Sequence, residues 1–275
     1  MPELPEVETI RRLLRNGGLN SPSLINMKII GAEVLWDRTV VEPAASIFID
    51  KVINQTIKDV DRRGKFLILV LADYNLLIHL RMSGDILIES LDEPLGKHHR
   101  VVLILDEGIK LAFVDPRKFG RVWLLTETSR VIGALGPEPL SDEFTRGSFF
   151  QRLNNHHRQI KPLLLDQNFL AGMGNIYTDE ALHCAKIHPL LKSDQITRKQ
   201  SDRLWECIRS ILLEGIKNNG ASIDWVYRGG DYQNYFRVYQ RRGEPCQVCG
   251  VDIERIVVGQ RGTHFCPECQ PLPSK

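Results

Sequence analysis

The period of the hydrophobic pattern changes along the chain. Over residues 5–15, Val7, Ile10 and Leu14 recur at helical spacing with Leu13 at the edge of the face. Pro5 suits a first helical turn, Glu6 and Glu8 suit the positive end of the helix dipole, and Gly17-Gly18 supplies a stop. From about Leu24 to Leu125 the pattern breaks into short β runs, at 28–36, 65–71, 76–80, 101–105, 110–114 and 121–125. Turn residues such as Asp73-Tyr74-Asn75, Ser83-Gly84-Asp85 and Asp106-Glu107-Gly108 separate them. Short strands with no helical period between them predict a sandwich or barrel. Past Gly136-Pro137-Glu138-Pro139 the period is helical again, over 142–153, 161–166, 175–184 and 197–217. A Gly/Asn-rich link at 228–234 leads into a Cys-rich tail, and Pro271-Leu272-Pro273-Ser274-Lys275 is expected to fray. There are no internal repeats.

Length and composition narrow the class. A chain of 275 residues holds one large domain or two to three small ones. Hydrophobic content of 43% with 25% charged residues is ordinary for a globular protein. No apolar run approaches the ~20 residues that span a bilayer, and acidic residues open the chain where a signal peptide would be basic and then apolar. The expectation is a cytoplasmic protein with no membrane partner. A net charge of +2 does not by itself imply nucleic acid, so any polyanion-binding surface must come from local clustering. Of six cysteines, Cys184 and Cys207 stand alone in helical patterns and read as core.

The other four form Cys246-x2-Cys249 and Cys266-x2-Cys269, the spacing of a zinc site closing a β-hairpin. Four thiolates fill the coordination shell, so this zinc is structural. Gly250 and Gly259 permit the tight turns, and Val257-Val258 reads as strand. Arg255 and Arg261 on this hairpin are phosphate contacts or solvated charges.

The opening residues Met1-Pro2-Glu3-Leu4-Pro5-Glu6-Val7-Glu8 carry different chemistry. A Pro after the initiator predicts removal of Met1, leaving the secondary amine of Pro2. An α-amino group titrates near ~8, against ~10.4 for lysine, so a useful fraction is neutral and nucleophilic. Attack on a sugar C1′ by a secondary amine gives a charged iminium, an electron sink, and Glu3 is placed to move a proton beside it. By itself the string is also what any processed terminus looks like.

Three loops suit nucleic acid, and each has a plainer reading. In His79-Leu80-Arg81-Met82-Ser83-Gly84, Met82 is core filler or a wedge at a loop tip. Asp115-Pro116-Arg117-Lys118-Phe119-Gly120-Arg121 is a solvated turn with a buried Phe, or cations with a stacking ring. Gly172-Met173-Gly174-Asn175-Ile176-Tyr177 is a plain helix start or a phosphate cradle. Arg62-Arg63-Gly64-Lys65 and Lys97-His98-His99-Arg100 are smaller basic clusters. Lys65, opening an apolar strand, is placed for partial desolvation.

Taken in order, Pro2-Glu3-Leu4-Pro5-Glu6, Arg63-Gly64-Lys65, the 79–84 and 115–120 loops, Gly174-Asn175-Ile176-Tyr177 and the four-Cys tail resemble the formamidopyrimidine-DNA glycosylase family across nearly the whole chain. The Leu at position 4 favours this branch over the endonuclease VIII group. The resemblance implies a multidomain α+β fold. Its parts are an N-terminal β-sandwich with a flanking helix over 1–135, a helix–two-turn–helix domain over 136–227, and a lesion-loop segment with the zinc-finger hairpin over 228–275. It implies a monomer acting at the nucleoid, with duplex DNA carrying oxidised bases or abasic sites bound between its two halves. The implied activity is bifunctional: excision of oxidised purines such as 8-oxoguanine and formamidopyrimidines, then strand cleavage by β,δ-elimination.

Carried over by position, Pro2 is the Schiff-base nucleophile, Glu3 the acid/base, and Glu6 a support of the lesion pocket. Lys65 contacts phosphate and moves the proton in β-elimination. Arg261 binds phosphate and serves δ-elimination. Met82, Arg117 and Phe119 fill the gap left by the flipped base, Asn175 and His98 hold phosphates, and a further basic contact falls at His156. Two departures stand out. The lesion-capping segment 223–234 reads Arg228-Gly229-Gly230-Asp231-Tyr232, and the usual Val-Tyr-Gly-Arg is Val238-Tyr239-Gln240-Arg241. The segment around Asn20-Ser21-Pro22 is also lengthened. Two rivals remain at this stage: an endonuclease VIII-like enzyme for oxidised pyrimidines, and a catalytically silent damaged-DNA-binding protein.

Overall fold

Helix α1 (Leu4–Asn16) buries Val7, Ile10 and Leu14 almost completely and leaves Leu13 on the rim. Each such burial contributes about 2 kcal/mol, roughly 6 kcal/mol together, enough to hold an end of the chain that would otherwise fray. Gly17, at φ 75°, is its C-cap, and its N–H donates to the Leu13 carbonyl at 2.9 Å. The computed structural model describes residues 1–18, 21–222 and 229–272. The lesion-loop residues 223–228, Asn20 and the final three residues therefore lie outside the described residues. The chain divides into two units, Met1–Ala134 with Ala221–Gly230, and Leu135–Gly220 with Asp231–Lys275.

The first unit is the expected sandwich. Its strands are β1 (Ile29–Val34), β2 (Val40–Glu42), β3 (Ile57–Arg63), β4 (Phe66–Leu71), β5 (Asn75–His79), β6 (Asp85–Ser90), β7 (His99–Leu105), β8 (Ile109–Val114) and β9 (Arg121–Leu125). One sheet has the order β1-β7-β8-β6 and the other β2-β9-β5-β4-β3. Leu67, Leu69, Leu76 and Ile78 from one sheet and Val101, Leu103, Leu111 and Phe113 from the other share a core with the apolar face of α1. Every pairing is antiparallel except β2 with β9.

Several elements here, β2 among them, depart from the sequence expectation. A helix, α2 (Ala45–Val52), does interrupt the strands, burying only Phe48 and Val52. Two apolar positions four apart are too few to register as a period. Strand β3 is at a sheet edge, and a register shift between Ile57 and Asp59 spaces its buried Ile57 and Val60 by three residues, which hides the alternation. Strand β6 is an edge of the other sheet, with Ile86 its one buried side chain. A short helix, α3 (Ser129–Ile132), closes the unit.

The second unit contains α4 (Arg146–Asn154), α5 (Ile160–Leu165), α6 (Asn175–Ala185) and α7 (Arg198–Lys217), followed by an antiparallel hairpin of β10 (Glu254–Val258) and β11 (Arg261–Phe265). Capping boxes fix two helix starts, Thr145 with Ser148 and Thr197 with Gln200. The first of these sets the start of α4 at Arg146 rather than at Asp142. Helix α6 is buried on nearly all sides and carries Asp179, Glu180 and His183 inward. The Glu180 carboxylate, which burial pushes up, accepts the N–H groups of Arg237, Val238 and Tyr239 at 2.8–2.9 Å. Cys184 and Cys207, read from sequence as separate core residues, are joined in a disulfide linking α6 to α7, a pairing that a sequence separation of 23 conceals. Among the described residues, no helix is long and apolar enough to cross a membrane.

Candidate active site and nucleic-acid interface

Pro2 is buried, and Glu3, extended at the N-cap of α1, is 2% exposed. Glu6 fixes this segment. Its Oε2 accepts the Glu3 N–H at 2.7 Å, and its Oε1 accepts the Ala221 N–H at 2.7 Å. A carboxylate at the positive end of a helix, filled by two backbone donors, restrains both α1 and the start of the 221–230 segment.

Lys65 is 6% exposed and sits in the β3–β4 turn directly before β4, after Gly64, whose φ is 57°. Arg63 pairs with Phe66, so Gly64 and Lys65 form a two-residue loop. Opposite Phe66 on β5 sits His79, its ring edge-on at 4.7 Å. Burial first, then the charges of Arg81 and Lys65, push His79 down to about 3. Its neutral Nδ1 accepts the Arg81 N–H at 3.0 Å.

The two loops that suit wedging meet at one buried side chain. Asp115 accepts the Ser83 hydroxyl and the N–H of Arg117 on Oδ1, and the N–H of Gly120 on Oδ2. Its own N–H donates to the His98 carbonyl at 2.9 Å, and its carbonyl accepts Arg100 Nε at 2.8 Å. Met82, His98, Arg117 and Phe119 are thus brought to one corner. Met82 is 39% exposed and Phe119 46%, so neither is core filler. Arg117 lies 5.1 Å over the Phe119 ring, and Lys118 lies 3.8 Å over Trp36.

In the second unit, Asn175 starts α6 and donates from Nδ2 to the Gly262 carbonyl at 3.0 Å. Lys161 Nζ reaches the same carbonyl at 3.0 Å and pairs with Asp179 Oδ1 at 2.6 Å, both side chains fully buried. Asp179 Oδ2 accepts the His264 N–H at 2.9 Å. This network holds the β-hairpin next to Arg261, which is exposed beside an open groove of about 410 Å³ shared with Arg158, Asp166 and Gln260. His156 acts through its charge on Asp166 of this groove. Its Nδ1 lies 2.8 Å from the Arg152 carbonyl and its ring packs edge-on to Phe169.

The hairpin's four cysteine sulfurs lie within 4.8 Å of one another, with Cys249–Cys266 at 3.4 Å and Cys246–Cys269 at 3.9 Å. Tetrahedral zinc with ~2.3 Å bonds to sulfur places its ligands roughly 3.8 Å apart, so the set fits one structural zinc. His183 Nε2 lies 3.5 Å from Cys246 Sγ, an outer contact from α6 to the site.

Sequence reasoning missed Asp115 as the tie between the two loops, and it missed the Lys161–Asp179 pair. A signal existed for the latter, since a lysine inside Ile160-Lys161-Pro162-Leu163-Leu164-Leu165 has no solvent to face.

Family models match in three consecutive stretches: the formamidopyrimidine-DNA glycosylase N-terminal domain over residues 1–122, that family's H2TH domain over 135–226, and the zinc finger found in FPG and IleRS over 243–272. The fold and sites therefore define a DNA glycosylase of the helix–two-turn–helix class. The chain is 44% identical to the formamidopyrimidine-DNA glycosylase of Herpetosiphon aurantiacus, covering 98% of this chain and all of that one, and 38% identical to that of Enterococcus faecalis, covering 100% and 99%. The Lactococcus lactis FPG (MutM) bound to Fapy-dG-containing DNA superposes with a TM-score of 0.90 at 37% identity, over 98% of this chain and all of that one. The complex of the same enzyme with abasic-site DNA matches at 0.90 and 37%, with the same coverage. The chain belongs to the formamidopyrimidine-DNA glycosylase family.

Proposed function

We propose that this protein excises oxidised purines from duplex DNA and then cuts the strand, using Pro2 as nucleophile. The relatives named for formamidopyrimidine and seen with Fapy-dG or abasic DNA support the substrate class. The observation that carries the active-site reading is the Glu6 carboxylate, which takes the Glu3 N–H with one oxygen and the Ala221 N–H with the other. A terminus held in this way presents its amine in one place.

Once Met1 is removed, the Pro2 nitrogen attacks C1′ and the bond to the damaged base breaks. Glu3 moves the proton that the departing base and the opening ring require. The iminium at C1′ acidifies the C2′ hydrogen. Lys65 transfers that proton as the 3′ phosphate leaves, and Arg261 serves the second elimination, in which the 5′ phosphate leaves. Water then releases the sugar fragment and restores the amine. An extruded base costs a few kcal/mol of stacking, which Met82 and Phe119 offset as wedges while Arg117 faces the orphaned partner base. His98, Asn175 and His156 bind phosphates, so affinity falls with salt. Zinc serves only to fold the hairpin that carries Arg261. The functional segments are 1–135, 136–227 and 228–275, and the protein acts as a monomer on the nucleoid in the cytoplasm.

Borohydride trapping on an 8-oxoguanine duplex tests this. A covalent protein–DNA adduct is expected from the wild type and little or none from Pro2→Gly. A full-strength adduct in that variant, or a mature chain that retains Met1 while active, rejects the nucleophile.

A further inference from the structure

Glu8 stands on α1 beyond the residues assigned to chemistry, yet it is 7% exposed and surrounded by three guanidinium groups. Its carboxylate accepts Arg11 Nε at 2.9 Å and Nη2 at 2.8 Å, Arg12 Nε at 2.8 Å and Arg62 Nε at 3.2 Å. Burial would raise such an acid. The hydrogen bonds from Arg11 and Arg12 and the charges of Arg11 and Arg62 outweigh it and hold Glu8 down to about 2, so it is ionised throughout the working range. Surface ion pairs on a helix need no such enclosure.

Arg62 links this cluster to a catalytic candidate. It is the penultimate residue of β3, its side chain is 10% exposed, and its Nη1 donates to the Gly64 carbonyl at 2.9 Å. Gly64 is the left-handed half of the two-residue loop whose other half is Lys65. A chain of side-chain hydrogen bonds therefore runs from α1, through Glu8 and Arg62, to the peptide that precedes Lys65. The same helix begins at the segment bearing Pro2 and Glu3. A two-residue hairpin loop can rock about its strand ends, and a guanidinium clamped between a carboxylate and a loop carbonyl removes that freedom.

We infer that Glu8 and Arg62 are positioning residues that lock the Gly64–Lys65 turn to the helix carrying Pro2, and so set the rate of the proton transfer assigned to Lys65. The inference rests on the proposed function. It separates two steps that share an active site: imine formation needs Pro2 and Glu3, while elimination needs Lys65 at its place. Misplacing a catalytic group by about 1 Å costs up to ~100-fold, so a loosened turn slows elimination and leaves imine formation nearly untouched.

The test uses full-length zinc-loaded protein in single-turnover reactions on an abasic-site duplex, with thermal melting of each variant alongside. Arg62→Lys keeps the charge and loses the two-ended clamp. It is expected to slow strand nicking about tenfold while borohydride trapping changes less than about twofold. Glu8→Gln is expected to do the same, and Glu8→Asp to recover part of the rate. In a Lys65→Gln background, Glu8→Gln is expected to add nothing, because the two act through one group. Nicking at the wild-type rate in Arg62→Lys overturns the inference, as does an equal fall in nicking and trapping, or a further loss in the double variant. Wild-type nicking by Lys65→Gln removes the Lys65 assignment itself, whereas a full adduct from Pro2→Gly strikes the proposed function.

Discussion

Asp115 Oδ2 accepts the backbone N–H of Gly120 at 2.7 Å, while Oδ1 takes the Ser83 hydroxyl and the Arg117 N–H. One fully buried carboxylate thereby sets the distance between the Met82 turn and the Arg117–Phe119 loop. Gly120 cannot take a side chain there, because a Cβ would collide with the Phe113 ring. In Asp115→Asn one oxygen becomes an NH2 group facing an N–H donor. The expected cost is about 2 kcal/mol of stability, with abasic-duplex affinity weakened at least about tenfold. Thermal melting and fluorescence anisotropy at fixed salt read the two effects. Wild-type affinity in a destabilised variant would show that the loops need no common anchor.

What the sequence disclosed and what it hid follow from how each feature is built. Helix α1 was legible because Val7, Ile10 and Leu14 need only local spacing, and the zinc site because four thiolates at fixed spacing have few other uses. Strand β3 was not, since its bulge puts Ile57 and Val60 three apart. Asp115 was visible as part of a charged loop but not as its anchor, because its partners Ser83 and Gly120 come from different turns. The pairing of Cys184 with Cys207 and of Lys161 with Asp179 depends on which helices become neighbours, and periodicity carries no such information.

The Lys161–Asp179 pair bears directly on Arg261. Both side chains are fully buried, and Lys161 Nζ also holds the Gly262 carbonyl together with Asn175. Lys161→Met removes the cation and leaves Asp179 a buried charge, with the His264 N–H still donating to it. The expected loss is about 3–5 kcal/mol. Lys161→Met with Asp179→Leu, which removes both charges, should recover most of it. Chemical denaturation of the three proteins measures this, and a double variant no more stable than Lys161→Met would show that the remaining hydrogen bonds, not the stranded charge, set the cost.

Zinc loss should act on the second unit alone. Val238, Cys246, Ile253 and Cys266 form a four-residue apolar cluster, too small to hold a hairpin without the metal. A strong chelator, or Cys266→Ser, is expected to release close to one zinc per chain, abolish duplex binding and spare the sandwich strands. Metal analysis together with amide hydrogen exchange tests it. Protection of 254–265 that survives metal removal would overturn the assignment of zinc as the hairpin's fold-determining element.

The neutral state of His79 sets the acid side of the stability profile. An unfolded histidine titrates near 6.5, whereas burial, then Arg81 and Lys65, hold the folded ring down to about 3. Between those values the unfolded chain binds a proton that the folded chain refuses, so stability falls as pH falls through this window. At pH 5 the penalty is about 2 kcal/mol relative to pH 7. Glu8 acts lower: held down to about 2, its contribution is complete above the ordinary carboxylate range and is lost as pH falls through about 2. His79→Gln removes the titration, so the pH 7 to pH 5 drop in unfolding free energy should shrink by about 2 kcal/mol even if the variant is weaker at both. Urea unfolding at the two pH values measures the difference, and a drop unchanged from wild type would mean that the ring between Phe66 and Arg81 takes up its proton without resistance.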